Sequence, residues 1–296
     1  MEPATPPASN DRLALVAPAL FVLIWSTGFI VARLVAPYAD PLSFLGLRFS
    51  LAVVILAGAA FAMGAAWPRT GREWRDQLIA GVLLHGIYLG GVFWAVKHGL
   101  PAGIAALIVG LQPLMTGMLV GVFLGERVSR LRWTGIIVGF LGAILVILPQ
   151  LGAPDGFALL PVLVCLVAML SITLGTIWQK KTGAVQDLRT STVVHFIGAA
   201  LVTIPLALVL EDGRFELTIE FWIGLFWAVF GLSIGAIFLL LVLIRKGAVA
   251  GVAALLYLVP PVSALIAYFL FGETLSPVQI GGMAVAAMGV AIASRG

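Results

Sequence analysis

Residues 97–113 read KHGLPAGIAALIVGLQP, and residues 245–261 read RKGAVAGVAALLYLVPP. When the two stretches are aligned, seven positions hold the same residue, including two glycines and a final proline. Each stretch is followed by a glycine–glutamate pair, in GERVS at 125–129 and in GETLS at 272–276. A pattern that recurs after about 147 residues indicates two copies of one structural unit.

The composition indicates a membrane protein. The chain has 296 residues, of which 61% are hydrophobic and 10% are charged, and its mean hydropathy is +1.14. Soluble domains carry about 25% charged residues, so an ordinary globular fold is excluded. A helix needs about 20 mostly apolar residues to cross a bilayer, and ten segments qualify. They are residues 13–35, 42–64, 77–96, 101–124, 133–149, 157–178, 190–210, 221–244, 248–271 and 277–294.

The lysines and arginines predict the orientation of these ten spans. Thirteen of the 17 belong to the side that also holds both termini, whereas Arg33, Arg48, Lys97 and Arg214 belong to the other side. Because positive residues collect in cytoplasmic loops, we expect a bacterial inner-membrane protein with both termini in the cytoplasm. Residues 1–12 then form a disordered cytoplasmic tail. The charges are scattered over short loops, so the lipid bilayer is the expected partner and nucleic acid is not.

Each copy of the repeat holds five spans, an odd number, so the second copy must be upside down relative to the first. We place the first repeat at 13–150 and the second at 151–296. Inverted repeats that meet in the middle of the membrane are typical of secondary transporters, whose binding site lies at the repeat interface. The sequence therefore predicts an all-α integral membrane protein with ten transmembrane helices in two inverted five-helix repeats.

Several stretches resemble a known family. AALIVGLQPLMTGMLVGVFLGERVS and AALLYLVPPVSALIAYFLFGETLSPVQIGGMAVAAMGVAIAS are similar to the fourth and ninth helices of the drug/metabolite transporter (DMT) superfamily, in its EamA branch. IWSTGFIVARL and LGLRFSLAVVIL resemble its first two helices. The resemblance covers residues 13–294 and implies ten helices in two inverted repeats and export of small metabolites. It is strongest to the bacterial amino-acid exporters, which implies neutral or aromatic amino acids as substrates.

Prolines lie at corresponding positions in the fourth and ninth spans. Pro113 removes the helical hydrogen bond to the carbonyl of Val109, and Pro260 and Pro261 free two carbonyls in the same way. A free carbonyl in hydrocarbon must face protein, water or a ligand. We therefore expect these three prolines to act as hinge or gating residues, with a simple packing kink as the alternative.

A transport cavity needs a few polar or aromatic side chains inside the membrane. An aromatic face can hold an ammonium group, and a glutamine can both donate to a carboxylate and accept from an amine. We expect the substrate to contact such residues on the first, third, fourth, eighth and ninth spans. They are Trp25, Ser26, His85, Tyr88, Gln112, Ser233, Tyr257 and Ser263.

Charged residues are almost absent from the predicted spans, and none of those present is acidic. Arg48 lies several residues into the second span, and snorkelling of its side chain to the outer interface is the simpler explanation. Its counterpart in the second repeat is His195. Without an intramembrane carboxylate, proton coupling would have to use His85 or His195. We therefore expect a facilitator that moves neutral or zwitterionic solutes by alternating access without ion coupling.

Two alternative functions stay open at this point. Residues 231–235 read GLSIG, which matches the G-x-S-x-G pattern of serine hydrolases with Ser233 as nucleophile, but that pattern requires a strand-to-helix turn. A carrier for another metabolite, a drug or a lipid is the second alternative. No metal-binding or phosphate-binding motif is present in the sequence, so we expect no enzyme activity and no cofactor. A ten-helix bundle can complete a transport path alone, so we expect a monomer.

Overall fold

The computed structural model describes residues 11–124, 128–151, 156–182, 187–235, 239 and 258–295, and nearly all of them are helical. Strand-like pairing within these ranges is limited to the isolated β-bridges Ala39–Phe215 and Leu151–Phe157. The α-helices and two π-helices are α1 (Asp11–Val35), α2 (Pro41–Ala62), α3 (Gly71–Gly81), π1 (Val82–Ile87), α4 (Tyr88–Lys97), α5 (Ala102–Gly110), α6 (Gln112–Leu124), α7 (Arg130–Ile147), α8 (Leu159–Thr182), α9 (Leu188–Leu210), α10 (Ile219–Phe226), π2 (Trp227–Gly235), α11 (Val259–Phe271) and α12 (Pro277–Ala293).

The ten predicted spans each coincide with an apolar helical stretch of the described residues. Six stretches are long enough to cross a membrane: Pro41–Ala62, Gly71–Lys97, Ala102–Leu119, Arg130–Gln150, Leu159–Thr182 and Leu188–Leu210. Four are shorter: Ala19–Val35, Ile219–Gly235, Val259–Phe271 and Pro277–Ala293. Parts of the predicted spans 221–244 and 248–271, and the first ten residues of the predicted tail, lie outside the described residues. The prediction of an all-helical, multi-span membrane protein is confirmed.

The third span is longer than the sequence predicts. It begins at Gly71 instead of residue 77, because Thr70 caps this start by accepting a hydrogen bond from a backbone N–H of the first turn. Asp76 therefore lies inside the helix and is buried, so the expectation that the spans hold no acidic residue is wrong. The carboxylate of Asp76 pairs with Arg75 at 2.7 Å and with Arg72 at 3.7 Å, and both arginine side chains are mostly exposed.

Helix α7 of the first repeat packs closely against α12 of the second. A Cβ atom added to Gly135 would lie 2.6 Å from the carbonyl oxygen of Gly289, and one added to Gly142 would lie 2.7 Å from that of Gly282. Gly135 and Gly142 correspond to Gly282 and Gly289 at a separation of 147 residues. Exchanging the two repeats thus turns the first contact into the second. The contacts also run in opposite directions along the two helices, as inverted repeats require.

A second pair of corresponding helices, α2 and α9, meets in the same manner. Phe49 and Phe196 are 147 residues apart, and both are buried. Their rings stack on each other, with the centroids 5.6 Å apart and an angle of 18° between the planes. A residue that contacts its own counterpart must lie beside the symmetry axis that relates the repeats. The two repeats therefore pack through corresponding helices, with Phe49 and Phe196 at the axis.

The starts of corresponding helices are also built alike. Ser129 caps α7 by accepting a hydrogen bond from the backbone N–H of Arg132. Its counterpart, Ser276, caps α12 by accepting from the backbone N–H of Gln279, whose side chain completes a capping box. The serines that end the GERVS and GETLS stretches thus share one structural task, which is to begin the last helix of each repeat. The boundary predicted between the repeats at residues 150 and 151 stays a prediction.

Asp187 holds the start of α9, just outside the membrane-spanning segment. Its carboxylate accepts a hydrogen bond from the backbone N–H of Arg189 at 3.0 Å and pairs with the guanidinium of the same residue. The side-chain hydrogen bonds from Arg189 lower the pKa of Asp187 to about 2. The carboxylate is therefore charged at neutral pH and can stabilise the helix N-terminus.

The α7–α12 contact generates a stability prediction with a control on the same helix. Replacement Gly289→Ala places a Cβ 2.2 Å from the backbone nitrogen of Gly139. Overpacking of this kind costs about 1–3 kcal/mol, so we expect a lower midpoint of thermal unfolding in detergent. Gly281→Ala adds a Cβ with nothing within 4 Å and should leave the midpoint unchanged or raise it. Equal midpoints for the two variants would contradict the close packing of the repeats.

Candidate functional site

A buried arginine lies between the two repeats. Arg48 of α2 is 5% exposed, so the guanidinium does not reach the membrane surface and the snorkelling hypothesis is wrong. One Nη atom donates to the Oγ of Ser233 at 3.4 Å, a long hydrogen bond. The Nε atom is buried and has no hydrogen-bond partner. The guanidinium carbon lies 5.8 Å from the ring centroid of Phe49.

Ser233 presents its hydroxyl to Arg48 from a π-helical segment. It lies in π2 and is buried, and its Oγ donates to the carbonyl of Ala228 at 3.0 Å. The residues are five positions apart, the spacing of the π-helical hydrogen bond. The G-x-S-x-G stretch thus lies in a helix, and the strand-to-helix turn that a hydrolase nucleophile needs is not formed there. Ser233 instead accepts a hydrogen bond from Arg48.

Two histidines contact each other at the equivalent positions, on the other side of the repeat interface. His85 of π1 and His195 of α9 have ring centroids 6.0 Å apart, and the ring of Phe196 lies 4.9 Å from that of His85. The Nε2 atom of His195 is 2.6 Å from the Oε1 atom of Gln77, so the two share a hydrogen bond. Both His195 and Gln77 are buried. His195 is therefore paired within the protein itself.

The arginine–serine and histidine–histidine contacts are equivalent under the inverted repeat. His195 follows Arg48 by 147 residues, and Ser233 follows His85 by 148. Both contacts join one repeat to the other, and the contacting residues on the third and eighth spans lie in π1 and π2. Short π-helical segments are frequent at functional sites.

Tyr88 completes this group, on the first turn of α4. Its side chain is buried near Arg48 and Cys165. His85 also interacts electrostatically with Arg48. We call Arg48, His85, Tyr88, His195 and Ser233 the interface cluster. It brings together three of the predicted site residues, His85, Tyr88 and Ser233.

The predicted serines of the first and ninth spans connect helices. Ser263 donates to the carbonyl of Ser26 at 3.1 Å, and Ser26 donates to the carbonyl of Val259 at 3.4 Å. Both serines are fully buried. Trp25 is half-buried and packs on Phe21 with the ring centroids 5.3 Å apart. The two serines hold α1 against α11, across the repeat interface. The role of Trp25, Ser26 and Ser263 as substrate contacts stays a prediction.

Gln112 lies apart from the interface cluster. Its side-chain amide donates to the hydroxyl of Thr116 at 3.1 Å and to that of Thr176, on α8 of the other repeat, at 3.4 Å. The fourth span is interrupted at Leu111, between α5 and α6, two residues before Pro113. This break agrees with the loss of a helical hydrogen bond that Pro113 predicts in the fourth span. The hinge role of Pro113 stays a prediction.

Pro260 and Pro261 lie in the first turn of α11. A Cβ atom added to Gly110 would lie 2.7 Å from the Cγ of Pro260, so the fourth and ninth spans touch at the two proline sites. The hinge role of Pro260 and Pro261 also stays a prediction. Tyr257 and Leu256, whose carbonyls these prolines would free, lie outside the described residues.

One end of the bundle carries a cavity of about 490 Å³. Arg33, Lys97, Arg214 and Glu273 are among the residues that line it. Arg33 of the first repeat pairs with Glu273 of the second at 3.3 Å. We call this the Arg33 end; the opposite end holds Arg72 and Asp187. The sequence did not reveal the cavity, because its lining residues come from four separate loops and helix ends.

The comparisons with known proteins agree with the class that this architecture defines, a membrane transporter built from two repeats. The sequence matches the EamA-like transporter family twice, over residues 12–148 and over residues 159–295. The chain belongs to the EamA-like transporter family, and the prediction from the sequence is confirmed.

Three relatives illustrate the range of similar proteins. The uncharacterized transporter YvbV of Bacillus subtilis is 25% identical, with 93% of this chain and 88% of the relative aligned. The uncharacterized inner membrane transporter YedA of Escherichia coli is 28% identical, with 94% and 90% aligned. A probable amino-acid metabolite efflux pump of Salmonella typhimurium is 27% identical, with 92% of each aligned.

A solved crystal structure has the same fold. It superposes with a TM-score of 0.66 at 18% sequence identity, over 96% of this chain and 99% of the other.

The hydrogen bond between His195 and Gln77 can be tested by a double-mutant cycle. Gln77→Leu leaves a buried ring nitrogen of His195 without this partner, so we expect the free energy of unfolding in detergent to fall by about 1–3 kcal/mol. Adding His195→Leu should cost less in that background than in the wild type, because the orphaned group is removed. Additive losses would show that the two side chains do not depend on each other.

Proposed function

We propose that this protein is a secondary transporter that exports small metabolites, with neutral and aromatic amino acids as the favoured substrates. The observation that carries the proposal is the interface cluster, because a group of polar side chains buried between inverted repeats is where secondary transporters bind their cargo. Relatives named as probable amino-acid metabolite efflux pumps in Salmonella typhimurium and Escherichia coli support the substrate class. Membership of the EamA-like family supports the transport function.

Alternating access is the mechanism that the symmetry favours. When two inverted repeats adopt different conformations, one end of the bundle is open, and exchanging those conformations opens the other end. The cavity at the Arg33 end is one such opening in this account. The ion pair between Arg33 and Glu273 joins the two repeats there. Opening and closing of this end would therefore change the distance between Arg33 and Glu273.

We further propose that transport is not coupled to an ion. The interface cluster contains no carboxylate, and Asp76, the acidic residue buried in the third span, already pairs with Arg72 and Arg75 near the end of its helix. Proton coupling through His85 and His195 is the competing mechanism, since the two rings lie only 6.0 Å apart. Efflux of a product that accumulates in the cytoplasm requires no further driving force.

The charges support one orientation in the membrane, and the interface cluster supports a monomer. Lys and Arg are concentrated at the ends that the ten spans place beside both termini, so we propose that the termini are cytoplasmic and that the Arg33 end faces outward. A location in the bacterial inner membrane agrees with that of the relative YedA, which is named an inner membrane transporter. We propose a monomer as the transporting unit, because the interface cluster draws on both repeats of one chain.

Uptake of labelled phenylalanine into liposomes that contain the purified protein tests this function. We expect saturable uptake above that of protein-free liposomes, competition by other neutral amino acids, and the same initial rate with and without an imposed pH gradient. Uptake that depends on the gradient would contradict the uncoupled mechanism and favour coupling through His85 and His195. The absence of uptake for phenylalanine and the other neutral amino acids would contradict the substrate class.

A further inference from the structure

We propose that Arg48 binds the carboxylate of the transported molecule, so that the carrier selects for a carboxylic acid group. The inference rests on the proposed function and adds to it the chemical group that the site recognises. It starts from the unusual position of this arginine, which is buried between α2, α4 and π2 among aromatic side chains.

The charge of Arg48 is not balanced by the described part of the chain. An arginine side chain stays protonated in proteins, and burying such a charge in a membrane span costs at least about 2.5–3.5 kcal/mol. The ion pairs of the described residues involve Arg33, Arg72, Arg75, Lys97, Arg189 and Arg214, and Arg48 is not among them. A buried cation of this kind needs a negatively charged partner.

The hydrogen-bonding groups of Arg48 are also left partly unused. Its Nε atom has no partner although it is completely buried, and the bond from the Nη atom to Ser233 is 3.4 Å long. The five N–H groups of a guanidinium form a planar fork that matches the two oxygens of a carboxylate. A carboxylate facing this fork would satisfy the Nε atom and neutralise the charge together.

The comparison of the two repeats shows why the described residues do not supply the partner. His195, the counterpart of Arg48, is paired with Gln77. The positions that correspond to Gln77 in the second repeat are Gly224 and Leu225, at separations of 147 and 148 residues. Neither has a polar side chain, and a Cβ atom added to Gly224 would lie 2.4 Å from a methyl carbon of Val35. The Arg48 half of the interface therefore has no counterpart of Gln77.

The surroundings favour one carboxylate over a larger anion. A phosphate group carries more charge and is usually bound by several cations or backbone N–H groups, whereas Arg48 is the only cation in the interface cluster as defined above. The hydroxyl of Ser233 adds a neutral polar group, and the hydroxyl of Tyr88, which lies near Arg48, adds a second. The ring of Phe49 beside the guanidinium suits a substrate whose remaining part is apolar or aromatic.

The test compares ligands with and without a carboxylate in liposomes that contain the wild-type protein. We expect phenylalanine to compete with labelled phenylalanine, and phenylalaninamide and phenethylamine to compete at least ten times more weakly. Arg48→Gln should raise the KM for phenylalanine at least tenfold, and Arg48→Lys should keep part of the affinity because the charge remains. Arg72→Gln removes an arginine whose side chain is 82% exposed and should leave the KM unchanged.

Each outcome decides the inference. Equal competition by the amide and the acid, or an unchanged KM in Arg48→Gln, would overturn it and leave the proposed function intact. If Arg48→Gln does not fold, the ligand comparison on the wild type and the Arg48→Lys variant carry the test.

If the wild type transports no amino acid, the proposed function fails and thermal unfolding in detergent decides the inference. Stabilisation of the wild type by 3-phenylpropanoate but not by its amide, weakened in Arg48→Lys and lost in Arg48→Gln, would support carboxylate binding. Equal effects of the acid and the amide, or no effect of either, would overturn it.

Discussion

Backbone contacts between glycines of α7 and α12 bring the two repeats together with almost no side chain between them. Gly135 faces Gly289, and Gly142 faces Gly282, so each contact is the image of the other. In a membrane, helices associate mainly through close packing, and small residues permit it. Because this contact fixes the repeats as antiparallel images, it also determines which residues meet at the symmetry axis. The stacked rings of Phe49 and Phe196 lie there as a result.

The two repeats differ in sequence at the interface cluster. Arg48 and Ser233 occupy the positions of His195 and His85, so one side of the axis holds a permanent charge and the other holds two imidazole rings. On the imidazole side, His195 is paired with Gln77, whereas the Nε atom of Arg48 has no hydrogen-bond partner among the described residues. A symmetric scaffold thus provides motion between two equivalent states, while the unequal residues at its centre provide recognition. The π-helical segments π1 and π2 present His85 and Ser233 to this centre.

Much of the fold was readable from the sequence, and less of the site. Ten apolar stretches and the recurrence of Gly, Pro and Gly-Glu at fixed separation were sufficient for the two-repeat membrane fold, because hydropathy and helix termination act locally. The start of the third span was placed too late because a single cap at Thr70 decides it. His85, Tyr88 and Ser233 were recognised as polar residues in apolar helices. The partnership of Arg48 with Ser233 was missed, since it depends on how helices from two repeats cross, which no local pattern records.

The most direct test of the account is the distance between the repeats at both ends of the bundle, measured by electron–electron double resonance. In a Cys165→Ala background, one pair of spin labels would occupy Pro37 and Val278 near the Arg33 end, and another would occupy Met63 and Ser294 at the opposite end. The account predicts that saturating phenylalanine shifts the two distance distributions in opposite directions. Two distributions that move in the same direction, or that stay unchanged, would contradict alternating access between inverted repeats.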